Sequence, residues 1–101
     1  MTENRTAALH AVQGQLAALE SIWTEASTNL NTVAGSERVE KWKKQTVQVL
    51  AQHVNQDEAK RFSETHPGPS FTNDLVEEFS DHVDVYRTWL TQLADRLKKM
   101  G

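Results

Sequence analysis

Proton transfer or metal ligation in this chain would have to use its four histidines, His10, His53, His66 and His82, and its 14 acidic residues. Glu78 and His82 stand at i, i+4, so a helix puts them on one face, and a carboxylate beside an imidazole is the minimum of a general-base pair. A di-iron bundle asks for more: Glu-x-x-His motifs on two helices and two further glutamates. Here the spacing is one residue too long and no second copy exists. The other histidines are scattered and form no readable Ser–His–Asp set. Gly14 and Gly35 are isolated and make no phosphate cradle. The absence of cysteine removes thiolate nucleophiles, zinc–thiolate sites and disulfides. The sequence therefore predicts no catalytic residue, no metal and no cofactor. An enzyme using a carboxylate–histidine pair is the third of three readings.

Two charged stretches offer binding chemistry instead. GSERVEKWKKQT, residues 35–46, sets Arg38, Lys41, Lys43 and Lys44 around Trp42. Basic residues interleaved with an aromatic suit a nucleic-acid surface, but helical spacing places Trp42 on an apolar seam with Val39, Thr46 and Val49, where it cannot stack on a base. Glu37 with Lys41, and Glu40 with Lys44, are acid-first i, i+4 pairs. The stretch reads as a solvated, self-paired face or as a patch for one specific anion, in which Arg38, Lys41, Lys44, Lys60 and Arg61 would be the contacts. A formal net charge of −3 and a pI near 5.7 argue against general nucleic-acid binding and a polybasic membrane anchor. The second stretch is acidic. Asp74, Glu77, Glu78, Asp81 and Asp84 run without an intervening Lys or Arg. They form a docking face for a basic partner, or simply complement the positive end of a helix dipole.

These groups need long elements to carry them. Leu9, Val12, Leu16, Leu19, Trp23, Ala26, Leu30 and Val33 are spaced 3, 4, 3, 4, 3, 4, 3, which predicts a helix over about 6–33 with Gly35 as its C-terminal cap. Gly14 inside it marks a close helix contact. Ser36 as N-cap and Glu37 in the first turn predict a second helix over 37–54, with His53 buried or half-buried on its seam. Asn55 with Glu58 resembles a capping box, predicting a short helix over 56–64 that faces Ala59 and Phe62 inward and stops at HPGP. Thr72 as N-cap, with Phe71 as a staple, opens a last helix over 73–99. Its seam is Val76, Phe79, Val83, Tyr86, Leu90, Leu93, Leu97 and Met100. No strand pattern occurs. The fold class is all-α: one domain over 1–101, an up-down antiparallel bundle of three long helices plus one short helix that, with HPGP, caps one end.

From Thr6 to Ser36 the only charges are Glu20 and Glu25. A free surface helix normally carries more. This reads either as a polar exposed face or as a face covered by a second copy or another domain, with Gln15, Ile22, Ser27 and Asn29 at the interface. The polar N-terminus lacks a signal peptide, and no apolar run approaches the roughly 20 residues of a membrane span. A cytoplasmic protein with no membrane contact is expected.

GSERVEKWKKQT, then VNQDEAKRFSE and DVYRTWLTQL, resembles a helical module found beside signalling or antiphage-defence effector domains in bacterial multidomain proteins. The resemblance covers about 35–97 and rests on Gly35, Glu37, Trp42, Lys43, Thr46, Val54, Glu58, Ala59, Phe62, Tyr86, Trp89 and Leu93. It implies a non-catalytic unit that positions, oligomerises or senses. The leading reading is thus a non-enzymatic interaction and oligomerisation module, an adaptor or regulatory domain with a homo-oligomeric or protein partner. The alternative is a small protein that captures an anionic ligand, such as a nucleotide signal, between helices or subunits.

Overall fold

A computed structural model describes residues 2–68 and 74–99, with side chains from Arg5 onward. Four helices follow one another: α1 (Thr2–Asn29), α2 (Thr32–His53), α3 (Gln56–Ser63) and α4 (Leu75–Lys99). All described secondary structure is helical, and the all-α bundle of three long helices and one short one is what the molecule forms. At 1.5 Å per residue, the 28 residues of α1 account for most of the 47 Å long axis.

The corner between α1 and α2 differs from the sequence expectation. α1 ends at Asn29, not near Val33, and α2 begins at Thr32, five residues before the expected start. Leu30 takes the left-handed conformation with φ 54°. The Asn31 amide donates to the Ala26 carbonyl at 3.2 Å, the closing bond of a Schellman motif. Asn31 then starts α2, its Oδ1 accepting from the Ala34 amide at 3.1 Å. One asparagine ends one helix and caps the next, so Ser36 is not a cap. Gly35 lies buried inside α2 for a packing reason: a Cβ there would sit 2.8 Å from Ala26 Cβ and 2.9 Å from Phe79 Cζ. Gly14, expected at a close contact, faces open space.

The other caps follow the sequence more closely. Asn55 Oδ1 accepts from the Glu58 amide at 2.7 Å, starting α3 as expected. The reciprocal half of that capping box is missing, because the Glu58 carboxylate is turned to Arg96. Thr72 and Phe71 lie outside the described residues; Asp74 Oδ1 caps α4, accepting from Val76 and Glu77 amides at 2.9 and 3.3 Å.

Side-chain contacts fix the helix directions. Ala26 lies beside Gly35 and Gln15 beside Thr46, so α1 and α2 are antiparallel. Glu20 pairs with Arg87, and Ala8 shares a cavity wall with Leu97, so α1 and α4 are antiparallel as well. Hence α2 and α4 run the same way, with Gly35 beside Phe79 and Trp42 beside Tyr86. The return limb is α3 with the segment after it. Phe62 lies against Trp42, Tyr86 and Trp89, and Lys43 holds the Thr65 carbonyl. This limb lies along α2 and α4 and does not cap one end.

The core is centred on Val12, Leu19, Leu50, Phe62, Val83 and Leu90. The α4 seam is buried from Phe79 to Leu97 as its spacing predicts. On α1 the buried line is Ala8, Val12, Leu19, Ile22 and Ala26, while Leu9, Leu16 and Trp23 are only partly buried. Two neighbours, α2 and α4, widen the stripe beyond one seam. Leu30 and Val33 continue the heptad numerically, but the turn throws them outward.

Candidate functional site

The basic stretch does not act as one patch. Arg38 pairs with Glu25 of α1, and neither Glu37–Lys41 nor Glu40–Lys44 forms an ion pair. Lys41 and Lys44 lie exposed on α2, as does Lys60 on α3. Arg61 pairs within its own helix, with Asp57 at 3.3 Å and Glu58 at 3.9 Å. Two of the five expected anion contacts are therefore answered by carboxylates. Trp42 is core, 4% exposed, and its Nε1 donates to the Gln15 carbonyl at 2.9 Å.

On the acidic face, Glu77, Asp81 and Asp84 are exposed and Glu78 is half-buried. Asp74 is engaged as a cap, and Asp84 pairs with Arg87. His82 Nε2 is 4.0 Å from Glu78 Oε1, the limit of an ion pair and too long for a hydrogen bond. Among the described residues no group of three or more His, Asp or Glu side chains is placed to hold a metal ion. His53, expected on the buried seam, is exposed, because the α2 core line runs instead through Gly35, Val39, Trp42, Lys43, Thr46 and Leu50.

The proposed interface residues separate in the same way. Ile22 is 6% exposed within the chain's own core and is not available to a second copy. Gln15 is turned inward, with Thr46 Oγ1 at 2.8 Å from its Oε1. Ser27 Oγ is buried without a hydrogen-bond partner, as is Trp23 Nε1 one turn before it. Asn29 alone is exposed. It adjoins a surface that periodicity concealed. Leu30, Val33 and Leu75 are exposed at 72%, 71% and 64%. Val33 and Leu75 line one groove of about 350 Å³ with Phe79 at its floor. Among the described residues, these are the large apolar side chains that folding leaves in water, and all three lie at this end of the bundle. Along residues 6–29 of α1, which run away from it, the only charges are Glu20 and Glu25, and these are tied to Arg87 and Arg38.

Sequence reasoning also missed Lys43, which is 8% exposed. Its Nζ donates to the Thr65 carbonyl at 2.7 Å, reaches His66 Nδ1 at 3.3 Å and lies 5.1 Å from the Tyr86 ring centroid. Burial pushes the ammonium below its ordinary value of 10.5, with Glu40 pulling the other way. Burial, and then Glu40, raise the Tyr86 hydroxyl above 10.0. Lys43 thus fastens the return limb to α2. Its helical offset from Trp42 gave no hint, because long basic side chains are expected in water.

No helix among the described residues is long and apolar enough to cross a membrane. Comparison with known proteins finds no matching family model, no matching curated protein and no matching solved structure.

Proposed function

We propose that the chain is a non-enzymatic helical interaction module that associates with a second copy of itself through the α1–α2 corner and the adjoining face of α1. The observation that carries this reading is the clustering of Leu30, Val33 and Leu75 at one end of the bundle. Exposed apolar patches on small domains mark interaction surfaces. A corner alone falls short of the about 800 Å² per partner of a standard interface. The face of α1 over residues 6–29 provides the adjoining surface, and its two carboxylates, Glu20 and Glu25, are already paired. The adaptor or regulatory role implied by the resemblance to bacterial effector-associated modules belongs to this same proposal.

Light scattering across a concentration series tests it. The mass is expected to climb from 11.4 kDa toward twice that value. Leu30→Gly and Val33→Lys are expected to lower the associated fraction without unfolding the chain. A constant monomer mass at the highest concentration would overturn the reading.

A further inference from the structure

A cavity lies at the opposite end, where the first turns of α1, the α2–α3 corner and the last turns of α4 meet. It arises because α2 stops at His53 while α1 and α4 run on beside the corner. Its volume is about 590 Å³, within the 300–1,000 Å³ typical of small-ligand sites. The floor is aliphatic: Ala8, Val54, Leu93 and Leu97. Its one aromatic ring is the His53 imidazole, and no Phe, Tyr or Trp lines it.

The rim is basic in an acidic protein. Arg5, Arg96 and Lys99 stand against one acid, Glu58, giving a formal +2 with His53 neutral, where the whole chain carries −3. Arg96 grips Glu58 through both terminal nitrogens, at 3.2 and 3.4 Å. That pairing fixes the guanidinium at the mouth and spends the only carboxylate among the described lining residues. Arg5 and Lys99 have no carboxylate partner among the described residues. Helix dipoles do not reverse the sign. The N-termini of α1 and α3 meet the C-termini of α2 and α4 at this end, so their partial charges oppose one another and the side chains decide.

We propose that this cavity binds a small amphiphilic anion, an unbranched acyl carboxylate whose chain lies on the aliphatic floor and whose head meets Arg5 and Lys99. The site shares none of the contacts expected from the sequence for an anionic ligand, and it does not depend on self-association at the other end. A nucleotide fits it less well, since the floor is aliphatic and no glycine lines the cavity to form a phosphate cradle.

The test is titration of the full chain with decanoate below its micelle concentration, followed by amide chemical shifts and calorimetry. Acetate supplies the head without the chain, and decyltrimethylammonium the chain with the opposite head. Saturable decanoate binding is expected, with shifts concentrated in 53–58 and 93–99 and no comparable response to either control. Arg5→Glu combined with Lys99→Glu reverses two rim charges outside the core. It is expected to weaken decanoate by about tenfold or more, the equivalent of about 1.4 kcal/mol, while circular dichroism stays unchanged. Raising the salt concentration should weaken wild-type binding more than binding by the double variant. Three results would each overturn the proposal: no saturable binding, equal binding of the cationic analogue, or an unchanged affinity in the folded double variant. Light scattering of the same samples reports on self-association separately.

Discussion

Two glycines in helices of this protein are expected to respond oppositely to the same substitution. Gly14→Ala adds a methyl group where nothing lies within 4 Å. The change then reports helix propensity alone, a gain of about 1 kcal/mol. Gly35→Ala brings the same intrinsic gain, since neither glycine has positive φ. Its methyl, however, would stand 2.8 Å from Ala26 Cβ and 2.9 and 3.1 Å from two carbons of the Phe79 ring. Carbon atoms prefer about 3.5–4 Å. Ala26 has no rotamer with which to retreat, and Phe79 is 3% exposed. Relief therefore requires α1 or α4 to move. Overpacking of this kind costs about 1–3 kcal/mol, and the upper half applies where backbone must shift. After the propensity gain, Gly35→Ala should lose about 1–2 kcal/mol, leaving the two variants about 2–3 kcal/mol apart. Urea unfolding followed by circular dichroism measures this difference directly. In a domain of this size 1 kcal/mol moves Tm by about 4–8 °C. Adding Ala26→Gly to Gly35→Ala removes one of the two obstructions, so the double variant should lose less than the sum of the singles. If Gly35→Ala proves as stabilising as Gly14→Ala, the close approach at the corner is not there.

Two further outcomes follow from local geometry. Leu30→Gly removes a side chain that is 72% exposed and releases an L residue from φ 54°, so the monomer should gain about 1 kcal/mol in urea unfolding even as association weakens; a loss of stability would show that Leu30 packs on something in the monomer. Lys43 binds its proton less tightly folded than unfolded, so between its lowered folded value and 10.5 the unfolded chain holds more protons and stability rises with pH. Tyr86, raised above 10.0, works the other way once pH passes that value. In unfolding measured from about pH 8 to pH 10, wild type should therefore gain on Lys43→Met as pH climbs, and parallel curves would refute a desolvated ammonium.

The helices and most of the core could be read from spacing because apolar periodicity reports which side of a helix is dry. α4 shows this best: its seam from Phe79 to Leu97 is buried as spaced. The errors fall where periodicity carries no information. At 30–33 the heptad numbering continues through a turn, because Leu30 and Val33 happen to keep the spacing while pointing into water. The signal that was available is Asn31, whose side chain suits a cap better than a helix interior. Gly35 looked like a stop because glycine commonly ends helices; its cause is instead a neighbour, Phe79, 44 positions further along the chain. Candidate sites were less legible still. Basic residues on α2 were paired by the i, i+4 rule with their own helix, whereas Arg38 finds Glu25 across the interface. The rim of the end cavity draws Arg5, Glu58, Arg96 and Lys99 from three helices, and no linear pattern joins them.

Uniform seams also leave a question that apolar packing cannot answer: why α2 does not slide along α1 by a turn or a heptad. Spacings of 3 and 4 repeat, so a slipped pairing would still bury leucine against valine. The ion pairs Glu25–Arg38 and Glu20–Arg87 oppose a slip only weakly, since exposed pairs contribute about 0–1 kcal/mol. The buried polar contacts are more exacting. Trp42 Nε1 donates to the Gln15 carbonyl of α1. Thr46 Oγ1 lies 2.8 Å from both Gln15 Oε1 and the Trp42 carbonyl, and its single hydrogen serves one of these at a time. Sliding the helix by a turn or a heptad would put Ala8, Ala11, Val12, Ala18, Leu19 or Ile22 where Gln15 now stands, so Thr46 Oγ1 would lose its side-chain partner, a contact that contributes about 1 kcal/mol. It would also set Gly35 away from Ala26 and bring a larger side chain to the narrowest crossing. The register is thus held at two points, a hydrogen bond to Gln15 near mid-helix and a glycine at the corner. The apolar seam between them supplies the adhesion without choosing the position.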